Sequence, residues 1–90
     1  MKKTDLIKAV SEKTGVSVNE ATKVVNATIE VIVDEVKEGY AVGITGFGTF
    51  ERSYRNPHKG RNPQTGEEIL IEGKNVPVFR AGASFKDAVK

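Results

Sequence analysis

The feature that most constrains this chain is a long segment, residues 17–39, whose apolar side chains recur at helical spacing. It begins with Ser17 and Glu20 at the spacing of a capping box and ends at Gly39, a residue typical of the position just past a helix. Apolar or small residues form one face, and others widen it beyond half of the circumference: Val18, Ala21, Val25, Thr28, Ile29, Ile32 and Val36, then Val24, Ala27, Val31 and Val33. A helix of about 21 residues is roughly 30 Å long, and one so apolar must be covered on more than one side.

A second copy of the chain could cover this helix. Ninety residues predict one domain, and a domain of that size buries only about two-thirds of the surface that its unfolded chain exposes. A first helix is predicted from Leu6, Ile7 and Val10, with Thr4 as its N-cap and Gly15 just past its end, but it is too short to cover the long helix alone. We therefore predict a homodimer.

Composition excludes several functional classes. The chain has no cysteine and one histidine, which leaves no disulfide, no thiolate site and no His-rich metal site. That histidine, His58, lies in a polar segment predicted to be mobile, where nothing would orient it as a general base. No stretch approaches the roughly 18 apolar residues of a membrane span, and charges interrupt the N-terminal residues where a signal peptide would be apolar. We predict no catalysis, no cofactor, no small-molecule substrate, no membrane partner and a cytoplasmic location.

After Gly39 the periodicity changes from helical to alternating. Residues 40–51 are rich in glycine and β-forming residues and predict a hairpin with turns at Gly46 and Gly48. The three glycines from Gly43 onward are spaced in the wrong order for a dinucleotide-binding fingerprint, and no strand-to-helix junction surrounds them.

The remaining residues complete an order of two helices, three strands and a short helix. Residues 76–80 predict the third strand, and residues 84–90 predict the last helix, with Ser84 able to cap it. Between the second and third strands lies a polar segment, residues 52–74, with too few apolar residues to pack onto a core; we call it the hairpin extension. The core candidates of this half are Val42, Ile44, Phe47, Phe50, Val76, Val78 and Phe79.

Positive charge is concentrated in the hairpin extension. The whole chain carries a net charge of +2, yet residues 52–66 alone hold four cations and no acid, so the rest sums to −2. The four cations are Arg52, Arg55, Lys59 and Arg61. Such a concentration favours an anionic partner more strongly than the overall charge does.

The tripeptide Arg-Asn-Pro occurs twice in the hairpin extension, ending at Pro57 and at Pro63. The two arginines, Arg55 and Arg61, are six residues apart, so alternation places both on one face of a strand. Turn chemistry in residues 62–66 predicts a tip at Pro63. An isolated Asn-Pro forms a turn far more often than anything else, but a rigid apolar tip on a basic β-ribbon also suits a wedge between base pairs in a minor groove.

Four segments resemble the bacterial histone-like proteins of the HU and integration host factor family, and the similarity extends over the whole chain. They are GFGTFE at 46–51, GRNPQTGEE at 60–68, VPVF at 76–79 and KDAVK at 86–90. Proteins of this family are among those known to bend DNA from the minor groove, and the resemblance implies that mechanism here.

The resemblance implies an α+β fold in an intertwined homodimer that binds double-stranded DNA on the nucleoid. Residues 1–39 would form a helical dimerisation base, and residues 40–90 a three-stranded antiparallel saddle, a projecting two-stranded arm at about 52–74 and a C-terminal helix. Pro63 would be the wedge, Arg55 and Arg61 arm contacts, Lys3 and Lys86 body contacts, and Arg80 a saddle contact. The full set of predicted DNA-binding residues is Pro63, Arg61, Arg55, Asn62, Gln64, Lys59, His58, Arg52, Lys3, Lys74, Arg80 and Lys86.

Several positions depart from the family pattern. Ser53 and His58 stand where the arm is commonly basic, and Ala83 replaces a frequent lysine. Arg52 stands beside Ser53, where alternation would turn it away from the groove unless a bulge shifts the register. The sequence also allows two other functions: a sequence-selective DNA bender of the integration host factor kind, and a module whose hairpin docks on an acidic protein.

Overall fold

The computed structural model describes residues 1–90 as two compact units, Met1–Asp34 and Glu35–Lys90. The elements in chain order are helices α1 (Lys3–Thr14) and α2 (Val18–Lys37), strands β1 (Val42–Ile44), β2 (Gly48–Arg55), β3 (His58–Arg61), β4 (Glu68–Ile71) and β5 (Lys74–Ala81), and helix α3 (Ala83–Ala88). The predicted combination of helices with antiparallel strands is confirmed. None of the three helices combines the length and apolar content needed to cross a bilayer.

Helix α1 begins earlier than Thr4 would allow as a cap. Lys2 is the N-cap residue, and its backbone N–H donates to the Asp5 carboxylate at 3.0 Å, so the predicted capping role of Thr4 is wrong. A carboxylate in the first turn also interacts favourably with the positive end of the helix dipole. The predicted end is confirmed, because the Gly15 N–H donates to the Ser11 carbonyl at 2.9 Å.

Helix α2 is closed at both ends by the residues that the sequence predicts. The Ser17 hydroxyl accepts the Glu20 N–H at 3.2 Å. At the other end Gly39 has a φ of 93°, which glycine adopts without a steric penalty. Its N–H donates to the Val36 carbonyl at 3.0 Å, and the Tyr40 N–H donates to the Glu35 carbonyl at 3.0 Å, which is the Schellman arrangement.

The apolar surface of α2 is left largely in solvent by a single chain. The buried hydrophobic side chains of the chain are Ile7 and Ala21. Val24 and Val31 are each 60% exposed and Val33 is 56% exposed, although all three lie on the helix that the sequence identifies as too apolar for water. One copy of the chain therefore does not supply the cover that the sequence demands.

Three strands form one antiparallel sheet in the order β1-β2-β5, and β3 pairs with β4 in a separate two-stranded ladder. The pairing of Phe50 with Phe79 places these two rings on the same face of the sheet. Their centroids are 4.7 Å apart, and Phe47 lies 5.2 Å from Phe79. Phe85 of α3, which was not among the predicted core residues, stacks on Phe47 at 5.2 Å.

Two of the predicted core residues lie on the other face of the sheet. Val76 and Val78 pair with Ser53 and Glu51, so alternation along β5 turns them away from the aromatic cluster. Helix α3 also differs from the prediction, because its N-cap residue is Gly82 and Ser84 lies inside the helix.

Gly48 is a packing residue, which corrects its predicted role in a turn. It begins β2, and the turn before it contains Gly46. A β-carbon at Gly48 would lie 2.5 Å from Cζ of Phe79 and 2.6 Å from the Arg80 carbonyl oxygen, closer than such atoms approach in proteins. The absence of a side chain therefore allows Phe79 to pack against β2.

Replacing Gly48 by alanine should lower the free energy of unfolding by about 1–3 kcal/mol, because the new methyl group must displace Phe79 or the backbone. The change is measured by denaturant unfolding at fixed protein concentration. Gly43→Ala is the matched control, since a β-carbon there would contact only the Thr49 hydroxyl at 3.7 Å, an ordinary distance. Equal losses in the two variants would contradict this account of Gly48.

Candidate nucleic-acid interface

The hairpin extension keeps one pairing register from the sheet to its tip. Arg55 pairs with Lys74 at the end of the sheet, and His58 pairs with Ile71 at the start of the ladder. Each strand advances by three residues between those two pairs, so no residue is inserted on either side. Alternation therefore continues through the extension without a bulge.

This register places four cations on one face. Arg55, Lys59 and Arg61 share the odd-numbered positions of the outgoing strand, and Lys74 is the register partner of Arg55. We call these four residues the basic face. The continued register puts the two arginines of the repeated tripeptide on the same face, as their six-residue spacing predicts.

The returning strand adds acids to the same face. Glu68 is the register partner of Arg61, and Glu72 stands across from Pro57 in the continued register. The positive charge is therefore concentrated along the outgoing strand, while the returning edge carries negative charge. The opposite face is less polar, with Tyr54, Ile69 and Ile71 all exposed.

The tip of the hairpin extension is held by four hydrogen bonds. The Gly66 N–H donates to the Asn62 carbonyl at 2.7 Å, and the Asn62 N–H donates to the Glu67 carbonyl at 2.8 Å. The Asn62 side-chain oxygen accepts the Gln64 N–H at 2.9 Å, and the Thr65 hydroxyl accepts the Glu67 N–H at 3.3 Å. These bonds surround Pro63, the residue at the end of the ribbon. The predicted turn is confirmed, and it holds a rigid apolar ring at this position.

The first Asn-Pro lies where the two ladders are interrupted. Residues 56–57 and 72–73 belong to no strand, and Pro57 has no N–H to donate there. Across from Asn56 in the continued register, a β-carbon at Gly73 would lie 2.6 Å from Cζ of Tyr54 and 2.9 Å from the Arg55 carbonyl oxygen. The Tyr54 ring thus lies over Gly73 and covers the break between sheet and ladder. Tyr54 was not among the residues predicted from the sequence; an aromatic residue in a polar strand was the available signal.

The other predicted residues are not among the four of the basic face, although Arg80 lies further along β5 on the same face of the sheet as Lys74. Arg80 forms an ion pair with Glu51 on β2, a partnership that the sequence did not reveal. Lys3 in α1 and Lys86 in α3 are exposed.

Within the hairpin extension, His58 Nδ1 lies 3.4 Å from the Asn56 carbonyl oxygen. The Arg52 guanidinium donates to the Lys37 carbonyl at 3.1 Å, away from the basic face. No group of three His, Cys, Asp or Glu side chains is gathered as a metal site would require.

A narrow ribbon with aligned cations and a rigid tip is suited to a polyanion with grooves, and comparison with known proteins agrees with that chemistry. The model of the bacterial DNA-binding protein family matches residues 1–90. The chain is 49% identical over 90 residues to the DNA-binding protein HU of Geobacillus stearothermophilus, with all of both chains covered. The chain belongs to the HU family of bacterial DNA-binding proteins.

Other relatives and solved structures support the family assignment. HU-alpha of Escherichia coli is 47% identical over 90 residues, again with both chains fully covered. The HU chain of an Anabaena HU–DNA cocrystal structure is 40% identical and superposes with a TM-score of 0.96, covering 99% of this chain and 97% of that one. HU from Thermotoga maritima is 26% identical, with a TM-score of 0.71 and full coverage of both chains.

Proposed function

We propose that this protein binds, bends and compacts double-stranded DNA with little dependence on sequence, as a homodimer and without catalysis. The observation that carries the proposal is the alignment of Arg55, Lys59 and Arg61 on one face of a ribbon that has Pro63 at its tip. The names of its relatives state that they bind DNA, and we extend that one property to this chain.

The dimer follows from the exposed surface of α2. Burial of a valine or isoleucine side chain is worth about 1.5–3 kcal/mol, and one chain leaves several of them on α2 in water. The whole stability of a small domain is about 5–15 kcal/mol. Since these side chains are 44–60% exposed, a second copy that covers residues 18–37 would recover a substantial part of that total. The sheets would then form the saddle, and the two hairpin extensions would project from it as arms.

The basic face would supply the affinity for DNA. Each lysine or arginine that meets a phosphate releases condensed counterions, and this contribution does not depend on base sequence. Arginines also fit the negative potential of a narrow minor groove. Since the acids of the hairpin extension lie on its returning strand, we propose that the outgoing strand, from Arg55 to Arg61, lies nearest the DNA backbone.

The tip would supply the bend. Pro63 is held by the hydrogen bonds of Asn62 and Gln64, so it loses little conformational freedom when it enters a base step. Proteins of this family are among the known cases in which an apolar wedge kinks the duplex at a cost of a few kcal/mol per step. The bend would bring flanking DNA toward Lys3 and Lys86, and toward Arg80 once it exchanges Glu51 for a phosphate.

DNA binding and the mass of the free protein can be tested on the same preparation. Linear duplexes of unrelated sequence should bind with an affinity ratio near one at matched salt, and affinity should fall steeply as salt rises. The free protein should sediment at twice the 9.8 kDa of one chain. A ratio far above about ten between sequences would identify a sequence-selective bender instead. Binding to an acidic protein but not to DNA would identify a docking module.

Pro63→Ala should reduce the DNA bend angle more than it reduces affinity, because it removes the wedge and keeps every cation. The bend is measured by fluorescence resonance energy transfer across a labelled duplex at saturating protein. Pro57→Ala removes a proline from the same hairpin extension away from its tip, and a smaller effect is expected. An unchanged bend in Pro63→Ala would show that another residue makes the kink.

Arg61→Ala should flatten the dependence of log K on log salt by up to about one unit for each phosphate that the arginine neutralises. Arg61→Lys is the control, since a lysine retains a charge for the phosphate and should keep the slope. Binding isotherms at several salt concentrations give both slopes. If the alanine variant keeps the full slope, Arg61 touches no phosphate.

A further inference from the structure

We propose that Arg52 is a positioning residue, which fastens the root of the hairpin extension to the C-terminal end of α2 and makes no phosphate contact. The inference concerns the free protein, and its consequence for DNA bending rests on the proposed function. Arg52 is one of the four cations of residues 52–66, and this role removes it from the set that would bind phosphates.

The first support is a hydrogen bond to an otherwise unpaired helix carbonyl. Arg52 Nη1 donates to the Lys37 carbonyl oxygen at 3.1 Å. The last four carbonyls of a helix have no intrahelical partner. The Schellman bonds of Gly39 and Tyr40 satisfy those of Val36 and Glu35. Arg52 supplies a donor at Lys37, which those bonds do not reach.

The second support is the position of the guanidinium against Gly39. A β-carbon on Gly39 would lie 3.1 Å from Nη2 and 3.5 Å from Cζ of Arg52. The planar group thus lies over the turn that joins α2 to β1. A positive charge at this place also interacts favourably with the negative end of the helix dipole.

The third support is the pairing register of β2. Arg52 pairs with Pro77, and Arg55 pairs with Lys74 three positions further on, so the two arginines lie on opposite faces. No bulge intervenes between them. Arg52 therefore points away from the basic face, and the run from residue 52 to residue 66 offers three cations to a phosphate backbone instead of four.

The consequence for the hairpin extension follows from the continuity of β2. This strand runs without interruption from Gly48 in the sheet to Arg55 in the extension. A bond at Arg52 holds it to the end of α2 three residues before the first cation of the basic face. The direction in which the extension leaves the sheet is then tied to the end of α2.

The test compares substitutions of two arginines on the same strand in the full-length protein. Arg52→Met removes the donor and the charge, Arg52→Gln keeps a neutral donor, and Arg52→Lys keeps a charged donor. Arg55→Met is the matched control on the opposite face. Three quantities are measured: amide hydrogen exchange at Gly39 and Tyr40 without DNA, the salt slope of DNA binding, and the bend angle at saturation.

For Arg52→Met we expect exchange at Gly39 and Tyr40 to accelerate by about two- to fivefold, in line with the usual strength of a cation at a helix C-terminus. The salt slope should stay at the wild-type value while the bend distribution widens. Arg52→Lys should restore exchange and bend, and Arg52→Gln should be intermediate. Arg55→Met should instead lower the slope by about one unit for each phosphate that Arg55 neutralises and leave the exchange rates unchanged.

Two results would overturn the inference, and a third would overturn its consequence for bending. A decrease of slope in Arg52→Met equal to that in Arg55→Met would make Arg52 a phosphate contact. Unchanged amide exchange at Gly39 and Tyr40 would show that the bond from Arg52 to Lys37 does not stabilise the C-terminal end of α2. An unchanged bend with accelerated exchange would confine Arg52 to local stability. If the wild-type protein binds no DNA, the proposed function fails, and the exchange rates alone still decide whether Arg52 fastens β2 to α2.

Discussion

The apolar circumference of α2 is the constraint on which the rest of this protein depends. Helix propensity and well-formed ends stabilise the helix, but they do not bury its valine and isoleucine side chains. In a single chain many of these side chains remain about half exposed to water, and the hydrophobic stabilisation forfeited is a substantial part of the net stability of a small domain. A second copy is the solution that needs no other partner. The two-fold dimer that we propose also has two hairpin extensions, so that DNA could be bound between them.

The hairpin extension is built on the opposite principle. It contains almost no buried side chain, and its order comes from backbone pairing, from the hydrogen bonds around Pro63 and from the Tyr54 ring over Gly73. An unbroken register then aligns its cations, which can attract phosphates with little rearrangement. The aromatic cluster of the sheet and the bond from Arg52 to Lys37 stabilise the part of β2 from which this segment projects.

Periodic and turn-forming features were predictable from the sequence. Gly39 ends α2, residues 62–66 form the tip, and Arg55 and Arg61 share a face, because each depends on neighbours within a few residues. The errors at the helix starts have equally local causes. At Thr4 a carboxylate at Asp5 fixes the cap at Lys2 instead, and at Ser84 the helix has already begun from Gly82. The local glycine pattern predicts a turn at Gly48. Its packing against Phe79 depends on a strand about 30 positions away, so the local pattern does not reveal it.

The sequence by itself determined the helices, the strands, the concentration of positive charge and the family, since these follow from residue types at short spacing. Only the tertiary structure decided what each charged side chain does. Arg52, Arg55 and Arg80 are the same residue type on adjacent strands, yet one bonds a helix end, one faces outward beside Lys74 and one is paired with Glu51. A side chain's partner depends on which distant groups the fold brings within hydrogen-bonding distance. Local sequence patterns do not reveal which groups those are.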